Sequence, residues 1–496
     1  MTALTTARLG KSARPSLIEA VYKPIIDRDL TMFNAYMEVD LTHVVMMTEN
    51  GIISPEAGKS LLSALLDLEQ TGPAPLNIDP SMGSLLLQVE RYLAEKAGQD
   101  TAGVLQLARS RIDQNAAISR VDARNRLLRI TRRVFELQEI WRRRASEWTD
   151  VIMPGYTHLQ HAQPWVLAHY ALYQYDVFAR DVQRLLETYA RTNMSSLGGV
   201  ALAGTSWPID RDRTSELLGH SAQIRNSKDC GGFAMDYLAE VASALSILMS
   251  GLGRSASELY VWASWEFGLI ELDEGLCGTS SIMPQKKNPY VLERIRALAG
   301  ESIGWMPSQL GMLRTPTTID SDRFFSSGNV QFFDVTNWAL TLMQDTVATL
   351  RINSDVMYER AGAHWSTASS LADAIVKLKG LDFRRSHHIV GALVKTALEN
   401  GISPSATTAA DVDAAAKMTL GAPIGLTDEQ VHEALDARHF VKTRVSAGSI
   451  GPEQIDRMAH LAEGDSTNTE KRLKAEESRI LAASKALRHR ARELSR

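Results

Sequence analysis

The sequence predicts an all-α protein of three domains, the central one a bundle of long helices. Apolar residues recur at alternating spacings of three and four over unusually long runs, whereas alternating strand patterns bounded by turns are scarce. The length of 496 residues is too great for one compact core, and roughly three domains is the expectation.

Residues 1–115 form the expected N-terminal helical domain, with short segments broken at Gly72-Pro73 and around Asp79-Pro80. The central domain, 116–365, opens on a stripe of Leu127, Ile130, Val134, Leu137 and Trp141, extended by Ala145 and Trp148. Ala171, Tyr175, Phe178, Val182, Leu185 and Tyr189 mark a second helix. Leu238, Val241, Leu245, Leu248 and Leu252 mark a third, and Leu340, Met343, Val347 and Leu350 a fourth. A further long helix is expected after Pro289, through Leu292, Ile295 and Ala299. Such near-heptad spacing predicts left-handed packing, within one chain or between subunits. The stripes specify core packing and carry no chemistry. The C-terminal domain, 366–496, is punctuated at Ser403-Pro404, Gly421-Ala-Pro423 and Gly451-Pro452. Thr427 with Asp428 and Glu429 marks a helix start, and a solvated helix is expected from Glu470.

The balance of 54 Lys+Arg against 58 Asp+Glu lacks the basic excess of a nucleic-acid or membrane-surface protein. Cys230 and Cys277 have neither a disulfide framework nor zinc-ligand spacing. A reducing, cytoplasmic setting is the simple expectation, and no metal is expected. Val151 to Tyr175 carries no Asp, Glu, Lys or Arg, but its Pro, Gly, His and Gln residues are too polar for a membrane span.

Three polar segments interrupt the helical rhythm. In Ala108-Arg-Ser-Arg-Ile-Asp-Gln-Asn115, two arginines flank a serine, a set suited to a carboxylate or to a salt-bridged loop. In Met153-Pro-Gly-Tyr-Thr-His-Leu-Gln-His-Ala-Gln-Pro164, His158 can move protons near neutrality or satisfy a structural role. In Gly275-Leu-Cys-Gly-Thr-Ser-Ser-Ile-Met-Pro-Gln-Lys-Lys-Asn-Pro289, paired hydroxyls precede Lys286, Lys287 and Asn288 at a helix start, which favours an anion. If the segments converge, they make a carboxylate pocket with a hydroxyl and an imidazole. Neighbouring subunits bring such distant loops together more readily than one chain does.

The Ser280–Pro289 stretch resembles the signature loop of the fumarase/aspartase superfamily. Arg109-Ser-Arg111 with Asp113-Gln114, Met153 to Gln160, Ala201-Leu-Ala-Gly-Thr205, Pro208-Ile-Asp-Arg211 and His387-His-Ile-Val-Gly391 resemble its argininosuccinate lyase branch. The resemblance implies a homotetramer whose cores are pooled bundles, with each active site shared between three subunits and no cofactor. It implies reversible C–N cleavage of a small N-succinyl amine, releasing fumarate. Ser280 would be the catalytic base, Lys286 and Asn288 the donors to the carboxylate that gathers charge, and His158 an acid or orienting group. Arg109, Ser110, Arg111, Ile112, Asn115, Thr157, Ser281, Met283 and Phe324 would line the substrate. A serine base requires cations and N–H groups that make its hydroxyl acidic.

The chain departs from the branch on the leaving-amine side. Ile112 replaces an Asn, Ile319 a Tyr and Phe324 a Gln, and the Asp-Ile-His pattern is missing near Leu85–Glu90. A pocket so changed disfavours arginine by roughly 1–3 kcal/mol for each unpaired polar group. The expected substrate is therefore not argininosuccinate but another N-succinyl amine. The suggested compound is ethylenediamine-N,N'-disuccinic acid (EDDS), cleaved to N-(2-aminoethyl)aspartate and fumarate. Argininosuccinate cleavage and a non-enzymatic, crystallin-like role are the competing expectations.

Overall fold

The computed structural model describes residues 12–231, 235–314 and 331–496, so Ile319 and Phe324 lie outside the described residues. The N-terminal part contributes α1 (Phe33–Glu49), α2 (Pro55–Thr71) and α3 (Leu85–Ala97). Ser54 caps α2 through the Ala57 N–H, and Gly72, at φ +76°, ends it. Residues such as Tyr36, Val45, Leu61 and Leu93 fill a first core here.

The bundle begins with α4 (Arg111–Glu147), followed by the strands β1 (Ile152–Thr157) and β2 (Gln160–Val166), then α5 (Leu167–Thr192) and α6 (Asp236–Trp262). The predicted stripes are its core: Leu127, Val134, Leu137, Trp141, Phe178, Leu185, Val241, Leu245 and Leu252 are all buried. The hairpin turns the chain back, so α5 packs antiparallel on α4. At the start of α6, the Tyr237 hydroxyl lies 2.9 Å from Ser119 Oγ near the start of α4. At its end, the Trp262 ring lies 4.6 Å from that of Tyr170, which packs on Trp141. Thus α6 runs parallel to α4.

Two short strands follow, β3 (Gly278–Thr279) and β4 (Lys287–Asn288), then α7 (Tyr290–Ser302) and α8 (Gln331–Thr349). The helix expected after Pro289 forms with 13 residues and buries Leu292, Ile295 and Ala299 as its pattern required. Pro289, with ψ 59°, caps that helix instead of opening it.

A third core lies among α9 (Ala368–Lys379), α10 (Phe383–Glu399), α11 (Ala409–Leu420) and α12 (Asp428–Leu435). Thr427 caps α12 in a reciprocal box with Gln430. The last helix, α13 (Pro452–Leu494), has 43 residues. The terminal helix is exposed or partly exposed along most of its length from Glu470, as expected, but one face of α13 is anchored. Ala462 and Leu473 join the bundle core, Leu487 and Ala491 join the N-terminal core, and Arg132 pairs with Glu470 and Glu477. Its charges read as solvated because their partners are distant in sequence. No helix among the described residues is long and apolar enough to cross a membrane.

Candidate active site

The first segment is fixed before α4 begins. Ala108 has a φ of +59°, a strained value for a residue with a Cβ. Arg109 Nη1 donates at 2.7 Å to Asp40 Oδ1, and both side chains are fully buried. Gln114 Nε2 donates to the same oxygen at 3.0 Å. Arg109, expected against the substrate, thus turns its charge into the core. Ser110 caps α4, its hydroxyl accepting from the Ile112 N–H, so that oxygen is already engaged by the helix start. Arg111 is exposed, and Ile112 and Asn115 are partly exposed. Asn115 Oδ1 is 3.5 Å from the Tyr36 hydroxyl.

Sequence reasoning missed the part played by Asp113. Its carboxylate accepts the N–H groups of Ser110 at 2.8 Å, Gly198 at 3.0 Å and Val200 at 2.9 Å. Burial raises its pKa, and the three N–H groups work against that rise. The Ser110-x-x-Asp113 spacing could have signalled the cap, but nothing local announces the reach to Gly198 and Val200.

The same core holds two neutral histidines. Burial, aided by Arg109, holds His43 well below its ordinary pKa, and burial, aided by Arg124, does the same for His220. Their unfolded-state pKa is about 6.5. The unfolded chain therefore takes up protons there as pH falls, while the native chain does not. Stability contributed by these neutral rings is full above that value and is lost below it. Between pH 7 and 6 the melting temperature is expected to fall, and a His220→Gln variant should show a shallower fall than the parent in scanning calorimetry.

The second segment forms the β1–β2 hairpin. Thr157 pairs with Gln160, and His158 and Leu159 make the two-residue turn at φ +56° and +58°. That left-handed pair is the primed-turn geometry of tight hairpins, usually supplied by Asn-Gly. Pro154 and Pro164, facing each other across the strands, further hid the hairpin in the sequence. Thr157 and His158 are exposed at the tip. Just behind the tip, Tyr156 packs on Phe267 with ring centroids 5.3 Å apart, and His161 lies 4.6 Å from His364.

The third segment is a loop closed by β3 and β4, with Thr279 opposite Lys287 and Gly278 opposite Asn288. A Cβ on Gly278 would meet the Tyr290 ring at 2.1 Å, so the closure requires glycine. Ser280 Oγ accepts two backbone N–H groups, from Met283 at 3.1 Å and Ile282 at 3.4 Å. Donors aimed at a hydroxyl oxygen favour its ionised form. Lys287 is an anchor, donating to Glu271 Oε1 at 2.9 Å and the Leu272 carbonyl at 2.7 Å. Lys286 is exposed and has no ion pair among the described residues; Ser281 and Met283 are exposed, and Asn288 is partly so. The loop therefore holds one hydroxyl in an N–H cradle with an exposed ammonium following it in sequence.

The chain does not gather these segments. Tyr156 packs on Phe267, and Ile270 pairs with Ile352, so the second and third segments share one end of the bundle. The first segment is at the other end of α4, whose 37 residues span about 55 Å.

Comparison with known proteins agrees with this architecture. Residues 47–304 match a family described as lyase, and residues 365–442 match the argininosuccinate lyase C-terminal family. Argininosuccinate lyase 1 of Shouchella clausii is 35% identical over 494 residues, covering 99% of each chain. Argininosuccinate lyase of Methanococcoides burtonii is 36% identical over 438 residues, 87% of each. Among solved structures, an EDDS lyase variant with bound fumarate superposes with a TM-score of 0.87 at 30% identity, covering 100% of this chain and 99% of the other. EDDS lyase in complex with formate gives 0.86 at 31%, with the same coverage. A class II fumarase from Schistosoma mansoni, at 14% identity and a TM-score of 0.65 over 82% of this chain and 90% of its own, shares the fold. The chain belongs to the fumarase/aspartase superfamily, as a carbon–nitrogen lyase of the argininosuccinate lyase branch that resembles EDDS lyase.

Proposed function

We propose that the protein reversibly cleaves an N-succinyl amine other than argininosuccinate, with EDDS the first candidate, and releases fumarate. The observation that carries this reading is the Ser280 hydroxyl held between the Ile282 and Met283 N–H groups. As an alkoxide, Ser280 takes a proton from the carbon beside one succinyl carboxylate. The electron pair moves into that carboxylate, where Lys286 and Asn288 stabilise the added charge. Its return forms the C=C bond of fumarate and expels the amine, which takes up a proton. His158 acts as acid or orienting group, and Thr157 with Ser110 and Arg111 holds the substrate carboxylates.

The span of α4 supports a site assembled from several copies, in a homotetramer with each site shared between three subunits. A single chain holds the first segment too far from the other two.

On the amine side, Ile112 offers a hydrocarbon at the second helical position of α4. With hydrocarbon side chains also at positions 319 and 324, where the branch has a Tyr and a Gln, argininosuccinate should lose at least about 30-fold in kcat/KM against the preferred amine. Fumarate absorbance measured with EDDS and with argininosuccinate under the same conditions tests this. Turnover of EDDS with little from argininosuccinate is expected, and the reverse order would overturn the assignment.

A further inference from the structure

Val200 is strained although it lies outside the three polar segments. Its φ of +56° is one that β-branched residues avoid. The local strain at Ala108 and at His158–Leu159 falls on two of the polar segments, and strain held in place by surrounding structure is a pointer to a site. Val200 is held by a buried anchor, because Asp113 Oδ2 accepts its N–H and that of Gly198. Asp113 is the next residue after Ile112.

From that anchor the chain forms a tightly fastened loop. Gly204 N–H donates to the Gly199 carbonyl at 3.2 Å, and Ser227 Oγ to the Leu202 carbonyl at 2.8 Å. Trp207 N–H donates to Thr205 Oγ1 at 3.2 Å, and Asn50 Nδ2 to the Pro208 carbonyl at 3.0 Å. At its start the loop packs closely on the chain behind it, since a Cβ on Gly199 would meet Cys230 Cβ at 2.4 Å. This fastened backbone nevertheless leaves two large apolar side chains in solvent: Leu202 is 51% exposed and Trp207 44%. Held by so fixed a backbone, the two side chains are preformed for apolar contact.

We infer that the Val200–Trp207 loop is a fourth segment of the site, and that Leu202 and Trp207 extend the apolar surface begun at Ile112 into a wall for the leaving amine. The inference rests on the N-succinyl amine reading above and sharpens it. The favoured amines carry a hydrocarbon stretch beside the nitrogen, as the ethylene bridge of EDDS is, or an aromatic ring. Asp113 is then a positioning residue, because one carboxylate sets both the start of α4 and the start of the loop.

The test uses the intact oligomer and two N-substituted aspartates that differ only in the amine, N-benzylaspartate and N-methylaspartate. In Trp207→Ala, kcat/KM for the benzyl compound should fall at least about tenfold more than that for the methyl compound, mainly through KM. Leu202→Ala should move the ratio in the same direction by less, and Trp207→Phe should largely restore it. An unchanged ratio in both alanine variants would overturn the loop's role while leaving the lyase reading intact. Loss of oligomer mass in light scattering would assign Leu202 and Trp207 to a subunit contact and overturn it equally. Absence of fumarate from every N-substituted aspartate with the unaltered protein would overturn the lyase reading, and the loop's role with it.

Discussion

Ser280→Ala is expected to lower fumarate release by at least about a thousandfold, within the range that a positioned base contributes, while the helical spectrum and oligomer mass stay unchanged. The residue sits in a loop whose ends are closed by β3 and β4, so removing a partly exposed hydroxyl disturbs no core packing. It does remove the acceptor that two N–H groups face. Ser281 is the matched control. It is exposed and lacks that cradle among the described residues, so Ser281→Ala should cost less than about tenfold. Near-parental rates in Ser280→Ala would show that another group takes the proton. The lysines allow a similar contrast: Lys286→Ala should act on the rate, whereas Lys287→Ala should act on the anchoring of the loop to Glu271.

Two inactive variants should restore activity when mixed. Arg111→Ala disables the first segment and Ser280→Ala the third, and the span of α4 keeps those segments apart in any one chain. With random exchange of subunits, about a quarter of the sites would receive both intact segments from unaltered positions of different copies. Activity of that order should appear after the variants are dissociated and reassembled together. Each variant reassembled alone should stay inactive. No recovery from a mixture that has demonstrably exchanged would place a complete site within one chain.

The helices were legible because burial repeats every three or four residues, and Leu127, Phe178, Leu245 and Val347 are as buried as their spacing requires. Caps at Thr427 and breaks at Gly72 were legible for the same local reason. The hairpin was not, because its turn uses His158 and Leu159 in left-handed conformations and its strands contain Pro154 and Pro164. Nor did the sequence distinguish Arg109 from Arg111. Both are arginines beside one serine, and only the fold sends Arg109 to Asp40 and leaves Arg111 outside. The Lys286–Lys287 pair behaves likewise, with Glu271 claiming the second lysine. Motif residues of one type divide into anchored and exposed members through partners elsewhere in the chain, which local pattern cannot reveal. The last helix shows the same effect at larger scale, since Glu470 and Glu477 lie more than 300 positions from the Arg132 they pair with.

A structure of the assembled protein with fumarate bound tests the account most directly. Fumarate is expected beside Ser280 of one copy, with Ser110 and Arg111 of another copy on its carboxylates. Fumarate held by residues of a single chain, or held away from Ser280, would contradict it.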